Sequence, residues 1–382
     1  MVVGIDHDFL FMIYYSTMRI VIKVGTSSLT NGTNRISAPF LVELGRQVAR
    51  LQADGQQVLL VTSGAIAAGR EKLNFPHLPR NIPAKQMLSA AGQLRLMALY
   101  EQVFGLYDMI VGQVLLTRAD LSDRRRYLNA RNTLLAMLQH HVTAIINEND
   151  TVATEEIRVG DNDNLSALVA NLVDADLLIL LTDQDGLFTA DPRSNPDAER
   201  VKTVSSDEIP EALWQAAGGS KSGLGTGGMS TKLQAADLAR RSGTACVIAN
   251  SSEKDVLLRL AAGEKIGTLF TPVVTAIESR KRYIMTARRA PGQISVDAGA
   301  AQALARGGSL LPVGMEAVHG KFERGDTVRI LDEAGKEIAR GIVNYGSGDL
   351  QHLKRQRSDE IENLLGYTYG DEVVHRSDLV LI

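Results

Sequence analysis

The sequence predicts an α/β protein, a three-layer αβα sandwich with a mainly parallel sheet, followed by a small β-rich domain. From Arg19 onward, short apolar segments alternate with segments of helical spacing. The apolar segments are continuous rather than alternating, which is typical of parallel strands buried on both faces. After about residue 290, short strands separated by Gly and Asp turns replace this alternation and indicate a small, mostly β barrel.

Apolar, β-branched segments predict the strands, and the spacing over Ala38–Ala53 predicts a helix. The predicted strands are Arg19–Val24, Val58–Val61, Met109–Leu116, Val142–Ile146, Leu177–Leu181 and Thr244–Ala249. In open parallel sheets, ligands bind at the carboxyl ends of the strands. The residues at these ends are small hydroxyls, glycines, amides and acids, namely Gly25, Thr26 and Ser27, Ser63, Gly64 and Ala65, Asn147, Glu148, Asn149 and Asp150, and Thr182 and Asp183.

The chain divides into four parts in this interpretation. Residues 1–17 form a poorly ordered extension, whose apolar run Phe9–Tyr15 is too short to span a bilayer and follows two acids rather than basic residues. Residues 18–275 form the large domain and 291–382 the small one. The basic residues of 276–290 are expected to be a solvated linker, with contact to RNA as the alternative.

The composition is that of a globular protein with two domains. The chain has 382 residues, 45% hydrophobic and 22% charged, with a net charge of −3, which does not favour nucleic acid as its main partner. The single cysteine, Cys246, excludes an internal disulfide and a Cys-based zinc site and fits a reducing, cytoplasmic location. Because Cys246 lies in an apolar run, we expect a buried side chain rather than a nucleophile.

A glycine-rich stretch, Ser222–Lys232, is predicted to bind phosphate. Four of its glycines fall within six residues, and small hydroxyls and Lys232 then lead into a predicted helix over Leu233–Arg241. Glycine permits positive φ angles that aim several backbone N–H groups at one anion, and a helix start adds partial positive charge. No strand runs into the stretch and no Gly-Lys-Ser/Thr occurs in it, so it is neither a dinucleotide fingerprint nor a Walker A loop. A flexible linker is the alternative.

Two further features point to a site. Lys23 is a cation at the penultimate position of the first strand, and the alternative is a strand-end lysine that reaches solvent. Val159–Ala167 places alternating acids and amides before a helix. The alternatives there are N-capping by Asp163 or Asn164 and a calcium loop, but the ligand spacing and terminal Glu of such a loop are missing.

Taken together, these segments resemble the amino acid kinase family across nearly the whole chain from Arg19. The matching segments are Lys23–Ser27, Val61–Gly69, Ile146–Asp150, Gly160–Ser166, Leu181–Asp183 and Gly223–Lys232. Ser309–Pro312 and Gly320–Asp326 are similar to a PUA domain, which accompanies one bacterial branch of that family. The ordered set is more specific than any one segment.

The resemblance implies ATP- and Mg²⁺-dependent phosphorylation of the γ-carboxylate of L-glutamate, the first step of proline synthesis. It assigns the transferred phosphoryl group to Lys23 and Lys232, with Asp163 orienting both lysines. It assigns glutamate to Ser63, Asp150 and Asn162, with Asp150 on the ammonium and Asn162 on a carboxylate. It assigns ATP to Lys23, Gly25, Thr182, Asp183, Thr226, Gly227, Gly228, Met229, Ser230, Thr231 and Lys232.

The same resemblance implies several partners. They are proline as a feedback inhibitor, a homo-oligomeric dimer or tetramer, and a glutamyl phosphate reductase that receives the product. Other members of the family act on aspartate, N-acetylglutamate, carbamate, or nucleotide or isoprenoid phosphates, usually without a PUA tail. RNA binding through the PUA-like part is the alternative of a different class, and the acidic net charge disfavours it as the main role.

Overall fold

A computed structural model describes residues 17–79, 81–153, 162–218, 228–275, 284 and 290–382. The chain forms two compact units. The first comprises residues up to Leu121 together with Ala130–Thr275, and the second comprises Ser122–Asn129 together with Ala276–Ile382. The expected extension over residues 1–17 and the expected basic linker over 276–290 fall almost entirely outside the described residues. Those boundaries therefore stay predictions.

An eight-stranded sheet forms the centre of the first unit. Its strands are β1 (Arg19–Val24), β2 (Gln57–Thr62), β3 (Ile110–Leu116), β4 (Val142–Glu148), β5 (Leu177–Thr182), β6 (Thr203–Val204), β7 (Ala245–Asn250) and β8 (Thr268–Phe270). They lie in the order β3-β4-β2-β1-β5-β7-β8-β6, and every adjacent pair is parallel except β7 and β8. The prediction of a mainly parallel sheet is confirmed. The six predicted strands correspond to β1–β5 and β7, with bounds that differ by at most two residues, whereas the short β6 and β8 were not predicted.

Ten helices are described in the first 275 residues. They are α1 (Thr26–Thr30), α2 (Ala38–Ala53), α3 (Ala65–Lys72), α4 (Ile82–Gly105), α5 (Arg118–Ser122), α6 (Arg124–Gln139), α7 (Asn162–Leu172), α8 (Glu211–Ala216), α9 (Met229–Arg241) and α10 (Val256–Ala261). The predicted helix over Ala38–Ala53 is confirmed. Helix α9 begins four residues earlier than expected, at Met229. Within the described part of the chain, none of the helices has both the length and the apolar character that crossing a bilayer requires.

Helices cover both faces of the sheet. Side chains alternate between the two faces along a strand, and Ile20, Ile22 and Val24 of β1 pack into a core with residues of α2, α4 and α10. Lys23, on the opposite face of the same strand, contacts Asp163 of α7. This alternation produces the three predicted layers. The same alternation places the ammonium group of Lys23 on the face of the sheet that α7 covers.

The second unit contains a smaller, five-stranded sheet. Its strands are β9 (Gly292–Val296), β10 (Met315–Gly320), β11 (Thr327–Leu331), β12 (Glu337–Ile342) and β13 (Leu379–Leu381), in the order β10-β9-β11-β12-β13. Helices α11 (Ala298–Ala305), α12 (Ser347–Leu353) and α13 (Ile361–Leu365) accompany it around a separate apolar core. The domain is β-rich as predicted, although its described strands form an open order rather than the closed barrel expected from the turns.

Candidate functional site

Two lysines and one aspartate meet at the carboxyl end of the central strand. Lys23 Nζ lies 2.7 Å from Asp163 Oδ1, and Lys232 Nζ lies 3.2 Å from Asp163 Oδ2. The Thr231 hydroxyl also donates to Asp163 Oδ2, at 2.7 Å. The side chains of Lys23, Lys232 and Asp163 are only 6%, 12% and 4% exposed. The structure therefore brings together the two lysines and the acid that the sequence placed at a phosphoryl-transfer site.

The Asp163 carboxylate stays ionised because of its partners. Burial alone raises the pKa of this carboxyl, since a low dielectric disfavours the charged form. The charges of Lys23 and Lys232, with hydrogen bonds from Lys23 and Thr231, outweigh that cost and hold its pKa well below the ordinary value. One carboxylate can then aim two ammonium groups at a third group placed between them.

Three local structures position the cluster. Lys23 is the penultimate residue of β1, Asp163 is the second residue of α7, and Lys232 lies in the first turn of α9. The lysine is buried, so the alternative of a strand-end lysine reaching solvent is wrong. Asp163 lies inside its helix and contacts two cations, which also disfavours a simple N-cap at this position.

Glycine is required at the entry to α9. Gly228 has φ +81° and ψ −133°, a conformation that L-residues with a side chain rarely adopt. The turn buries Ser230 and Thr231 immediately after the half-buried Met229. Helix starts leave backbone N–H groups without intrahelical partners, and these suit an anion. Of the predicted phosphate-binding loop, Thr226 and Gly227 lie outside the described residues, whereas Gly228, Met229 and Lys232 border the cleft described next.

A polar cleft of about 890 Å³ opens beside the cluster. It includes the predicted nucleotide residues Thr182, Asp183, Gly228, Met229 and Lys232. Its remaining lining comes from Ser27, Gln184, Leu187, Phe188, Thr189, Ala190, Asp191, Pro192, Arg193, Ala212, Gln215, Ala216, Ala217 and Gly218. The Thr182 hydroxyl donates to Asp183 Oδ1 at 3.2 Å. Gly25 follows the same strand as Lys23, and a Cβ atom there would lie 3.3 Å from Lys23 Nζ. The cleft is large enough for a nucleotide and leads to the buried cations.

On the other side of Asp163, the predicted substrate residues Ser63 and Asn162 contact each other. Asn162 Nδ2 lies 3.0 Å from Ser63 Oγ, 2.8 Å from Thr62 O and 2.9 Å from Asn147 Oδ1. Its amide hydrogens are thus already donated within the protein. The expectation that Asn162 donates to a substrate carboxylate needs correction. The atom left without a partner among the described residues is Oδ1, which can only accept.

Asp150 is held from a different direction. Ser89 of α4 donates a hydrogen bond from its hydroxyl to Asp150 Oδ2. Burial raises the pKa of the Asp150 carboxyl, and the bond from Ser89 opposes that shift without cancelling it. A half-buried carboxylate of this kind can form an ion pair with one cationic group of a ligand.

Sequence reasoning missed the contribution of α4 to this pocket. Gln93 lies four residues after Ser89, on the same helical face, and its Oε1 accepts a hydrogen bond from Asn147 Nδ2 at 2.8 Å. Both side chains are buried. A signal exists in the sequence, because Ser89 and Gln93 are polar residues at i and i+4 among the apolar positions of a long helix. The strand-end rule does not reach helix positions, so it could not select them.

Helix α4 is fixed by direct backbone contact with α3. A Cβ atom on Gly92 would lie 1.8 Å from Ala65 O, and one on Gly69 would lie 1.9 Å from Leu88 O. Separations this short mean that the two helices touch through their main chains, with no room for any side chain at either glycine. Gly92 immediately precedes Gln93. The packing therefore sets the position of Ser89 and Gln93 relative to the loop that carries Ser63.

The remaining candidates are structural. Cys246 is a free, fully buried thiol whose pKa is raised by burial, as expected for a packing residue. Among the residues that the structure describes, no three His, Cys, Asp or Glu side chains converge as metal ligands. Asp161, part of the alternative calcium loop, lies outside the described residues.

Comparison with known proteins gives two family matches. Residues 18–250 match the amino acid kinase family, and residues 292–365 match the PUA domain. Among solved structures, UMP kinase from Bacillus anthracis is similar over 66% of this chain and 96% of its own, with a TM-score of 0.46 and 17% identity.

Curated relatives are much closer in sequence. Glutamate 5-kinase of Photobacterium profundum is 55% identical over 364 residues, which is 95% of this chain and 96% of that protein. Glutamate 5-kinase of Herpetosiphon aurantiacus is 54% identical over 364 residues, or 95% of this chain and 98% of that protein. Glutamate 5-kinase of Klebsiella pneumoniae subsp. pneumoniae is 54% identical over 363 residues, or 95% of this chain and 98% of that protein.

Proposed function

The chain belongs to the amino acid kinase family, and we propose that it transfers the γ-phosphoryl group of MgATP to the γ-carboxylate of L-glutamate. The products are L-glutamyl 5-phosphate and ADP, and the reaction is the first step of proline biosynthesis. Two relatives that are 55% and 54% identical over 95% of the chain are named glutamate 5-kinase, which supports the assignment. The PUA match over residues 292–365 agrees with it.

The observation that carries the proposal is the pair of ammonium groups on one carboxylate at the end of a nucleotide-sized cleft. The acceptor carboxylate is already ionised at neutral pH, so the reaction needs no strong general base. Its difficulty is that one anion must approach another. Preorganised positive charge in a water-poor site lowers that barrier, and the buried Lys23 and Lys232 supply it.

In this mechanism a carboxylate oxygen of glutamate forms a bond to the γ-phosphorus as the bond from that phosphorus to the β,γ-bridging oxygen breaks. Lys23 and Lys232 contact the equatorial oxygens of the phosphoryl group during transfer. Asp163 keeps both ammonium groups aimed, with Thr231 fixing the carboxylate. Mg²⁺ enters as part of the MgATP substrate and shields the phosphate charges.

Nucleotide binding is assigned to the cleft. Thr182 ends β5, Asp183 follows it and Gly25 follows β1, so all three lie at the carboxyl edge of the sheet where Lys23 also lies. The turn at Gly228 and the first residues of α9, Met229, Ser230 and Thr231, present a helix start to the phosphates. Thr226 and Gly227 are included in this proposal from the sequence alone.

Glutamate binding is assigned to the opposite side of Asp163. Asp150 is the partner proposed for the substrate ammonium, since it is a half-buried carboxylate held by a neutral hydroxyl. Ser63 and Asn162 adjoin the lysine cluster and complete the pocket wall. An amino acid whose γ-carboxylate reaches the lysines then has its α-carbon near these residues.

A hydroxamate assay for the acyl phosphate tests the proposal. Purified protein with ATP and Mg²⁺ is expected to form the hydroxamate with L-glutamate, and much less with aspartate, N-acetylglutamate or carbamate. Lys232→Ala serves as the matched inactive control. Activity with another member of the panel, and none with glutamate, would reject the proposed substrate while leaving the family assignment in place.

Three partner proposals follow from the same activity. Proline, which shares the ammonium and α-carboxylate of glutamate, is proposed to inhibit by competing at the glutamate pocket, and kinetics at varied glutamate concentrations would test this. We also propose a homo-oligomer and delivery of the acyl phosphate to a glutamyl phosphate reductase. Light scattering of the purified chain, and co-purification with that reductase, are the corresponding measurements.

A further inference from the structure

Three side-chain amides form a hydrogen-bonded chain in the wall of the proposed glutamate pocket. Asn162 Nδ2 lies 2.9 Å from Asn147 Oδ1, and Asn147 Nδ2 lies 2.8 Å from Gln93 Oε1. All three side chains are buried. A chain of this kind has two ends. What the ends can bind depends on which way each amide faces.

A backbone group fixes the direction of the whole chain. The Glu148 N–H lies 2.9 Å from Asn147 Oδ1, and a backbone N–H can only donate. The Asn147 atom at that position must therefore be oxygen, so its NH₂ faces Gln93 and must meet the oxygen of Gln93. At the other end, the Thr62 carbonyl lies 2.8 Å from the Asn162 amide and can only accept, so that amide atom is nitrogen. No amide can be reversed without breaking one of these contacts.

The fixed direction leaves one donor and one acceptor. Gln93 Nε2 and Asn162 Oδ1 are both buried atoms without a partner among the described residues. Gln93 and Asn162 are each 9% exposed. A buried NH₂ or carbonyl without a hydrogen bond costs free energy, so such atoms are expected to meet a ligand or water. A zwitterion fits both ends, because its carboxylate accepts and its ammonium donates.

The surroundings decide which carboxylate meets Gln93. Asn162 adjoins Asp163 in the sequence, so the Asn162 end lies beside the two lysines, while Asn147 separates Gln93 from it. Ser89, one helical turn before Gln93 on the same face, holds Asp150. The Gln93 end therefore lies next to the carboxylate proposed for the substrate ammonium. The carboxylate nearest an amino acid's ammonium is its α-carboxylate.

We propose that Gln93 is a specificity-determining residue that donates hydrogen bonds from its side-chain NH₂ to the α-carboxylate of the amino-acid substrate. This inference rests on the proposed function and deepens it. Asn147 is the positioning residue. Its NH₂ donates to Gln93 Oε1, so the Gln93 amide presents only its N–H donors to the substrate. Asn162 Oδ1, at the other end of the amide chain, is left to accept from the ammonium. The site thereby selects an amino acid whose α-carboxylate is ionised and unmodified.

Gln93→Glu gives the sharpest test, because it retains the oxygen that Asn147 Nδ2 contacts and replaces only the donor. The substrates are L-glutamate and its α-carboxamide, isoglutamine, which keeps the γ-carboxylate and the ammonium. The wild-type chain is expected to favour glutamate over isoglutamine in kcat/KM by about 10- to 100-fold, as for a lost hydrogen bond to a charged group. In Gln93→Glu that preference should disappear or reverse, because the new carboxylate repels the α-carboxylate and accepts from the α-carboxamide.

Two further variants keep the test decisive. Gln93→Met removes donor and acceptor at similar volume, and it should raise KM for glutamate about 10-fold or more with KM for ATP unchanged. Gln102→Glu makes the same charge change at an exposed position of α4 and should leave the substrate preference as in the wild type.

The outcomes separate this inference from the proposed function. If the wild type phosphorylates glutamate and Gln93→Glu lowers activity on both substrates equally, then Gln93 has only a structural role and the inference is wrong. If the wild type forms no acyl phosphate from glutamate at all, the proposed function fails first. A reversed preference in Gln93→Glu, absent from Gln102→Glu, would support the assignment of Gln93 directly.

Discussion

Lys23 and Lys232 contact the two different oxygens of one buried carboxylate, that of Asp163, at 2.7 and 3.2 Å. The first lysine belongs to a central strand and the second to the start of a helix far along the chain. Because a single group holds both, any change at Asp163 affects the two cations together, whereas a change at either lysine affects one. The lysine and aspartate variants should therefore behave differently.

Lys232→Ala is expected to lower kcat by about a hundredfold or more, in line with loss of one preorganised charge contact in a transition state. Its folding should change little, because Lys23 still compensates Asp163. Steady-state kinetics and thermal unfolding measure the two effects. The exposed Lys202→Ala serves as the control and should retain wild-type kcat. Near-normal turnover in Lys232→Ala would remove this residue from the mechanism.

Asp163→Asn is expected to destabilise the chain by about 3–5 kcal/mol at neutral pH, because two largely buried ammonium groups lose their counter-charge. The pKa of Asp163 is lowered in the folded state, so its contribution is present above the unfolded pKa and is lost as pH falls through the folded one. The difference in free energy of unfolding between wild type and Asp163→Asn should be constant near neutrality and narrow in acid. Denaturant titrations from pH 7 to pH 3 test it, and a difference independent of pH would contradict the ion-pair account.

Asp150→Asn should stabilise the ligand-free chain while abolishing useful glutamate affinity. The pKa of Asp150 is raised by burial, so the folded state holds its proton more tightly than the unfolded state does. The charged form therefore costs stability above the folded pKa, and this cost disappears as pH falls below the unfolded pKa. We expect the Tm of Asp150→Asn to exceed that of the wild type at pH 7, and the difference between the two Tm values to become smaller in acid. In the same variant KM for glutamate should rise far more than KM for ATP, and equal changes in both would indicate a folding defect.

Gly228→Ala tests the entry to α9. The added Cβ meets no neighbour within 4 Å, so the cost comes from the backbone conformation at φ +81° alone. Such strain is worth about 1–3 kcal/mol. Relief of the strain would shift the helix start, so we expect KM for ATP to rise about tenfold with KM for glutamate nearly unchanged. Gly105→Ala, which also meets open space but has no positive φ, is the matched control. Identical behaviour of the two variants would mean that the turn does not shape the nucleotide site.

The sequence predicted the parts of the fold and site that depend on local pattern. Lys23 is conspicuous as a cation in an apolar strand, and the strand-end rule selected Ser63, Asp150 and Thr182 without any knowledge of the tertiary structure. Lys232 in the glycine-rich stretch and Asp163 in the acid–amide stretch also stand out in the sequence, and the family resemblance assigned their roles. Both belong to the same cluster as Lys23.

Other features depend on contacts between distant segments. Gln93 lies on a helix, and only the backbone contact of that helix with α3 brings it to Asn147. The role of Asn162 shows a second limit. An asparagine can be selected from the sequence, but which end of its amide remains available depends on three acceptors from other segments. The start of α9 at Met229 likewise depends on the positive φ of Gly228 rather than on helix propensity.

The backbone contact between α3 and α4 at Gly69 and Gly92 affects which length of ligand the pocket accepts. If glutamate spans from the lysines to Gln93, two rigid elements set the length of ligand that fits. One is the strand that carries Lys23, and the other is helix α4, which packs on α3 through backbone atoms. Where side chains separate two helices, a substitution can change the spacing by one methylene group. Where backbone atoms are in contact, no substitution can shorten the spacing in this way. Discrimination between a four-carbon and a five-carbon dicarboxylic amino acid would then be a property of the backbone, and altering it would require the helix to be reseated.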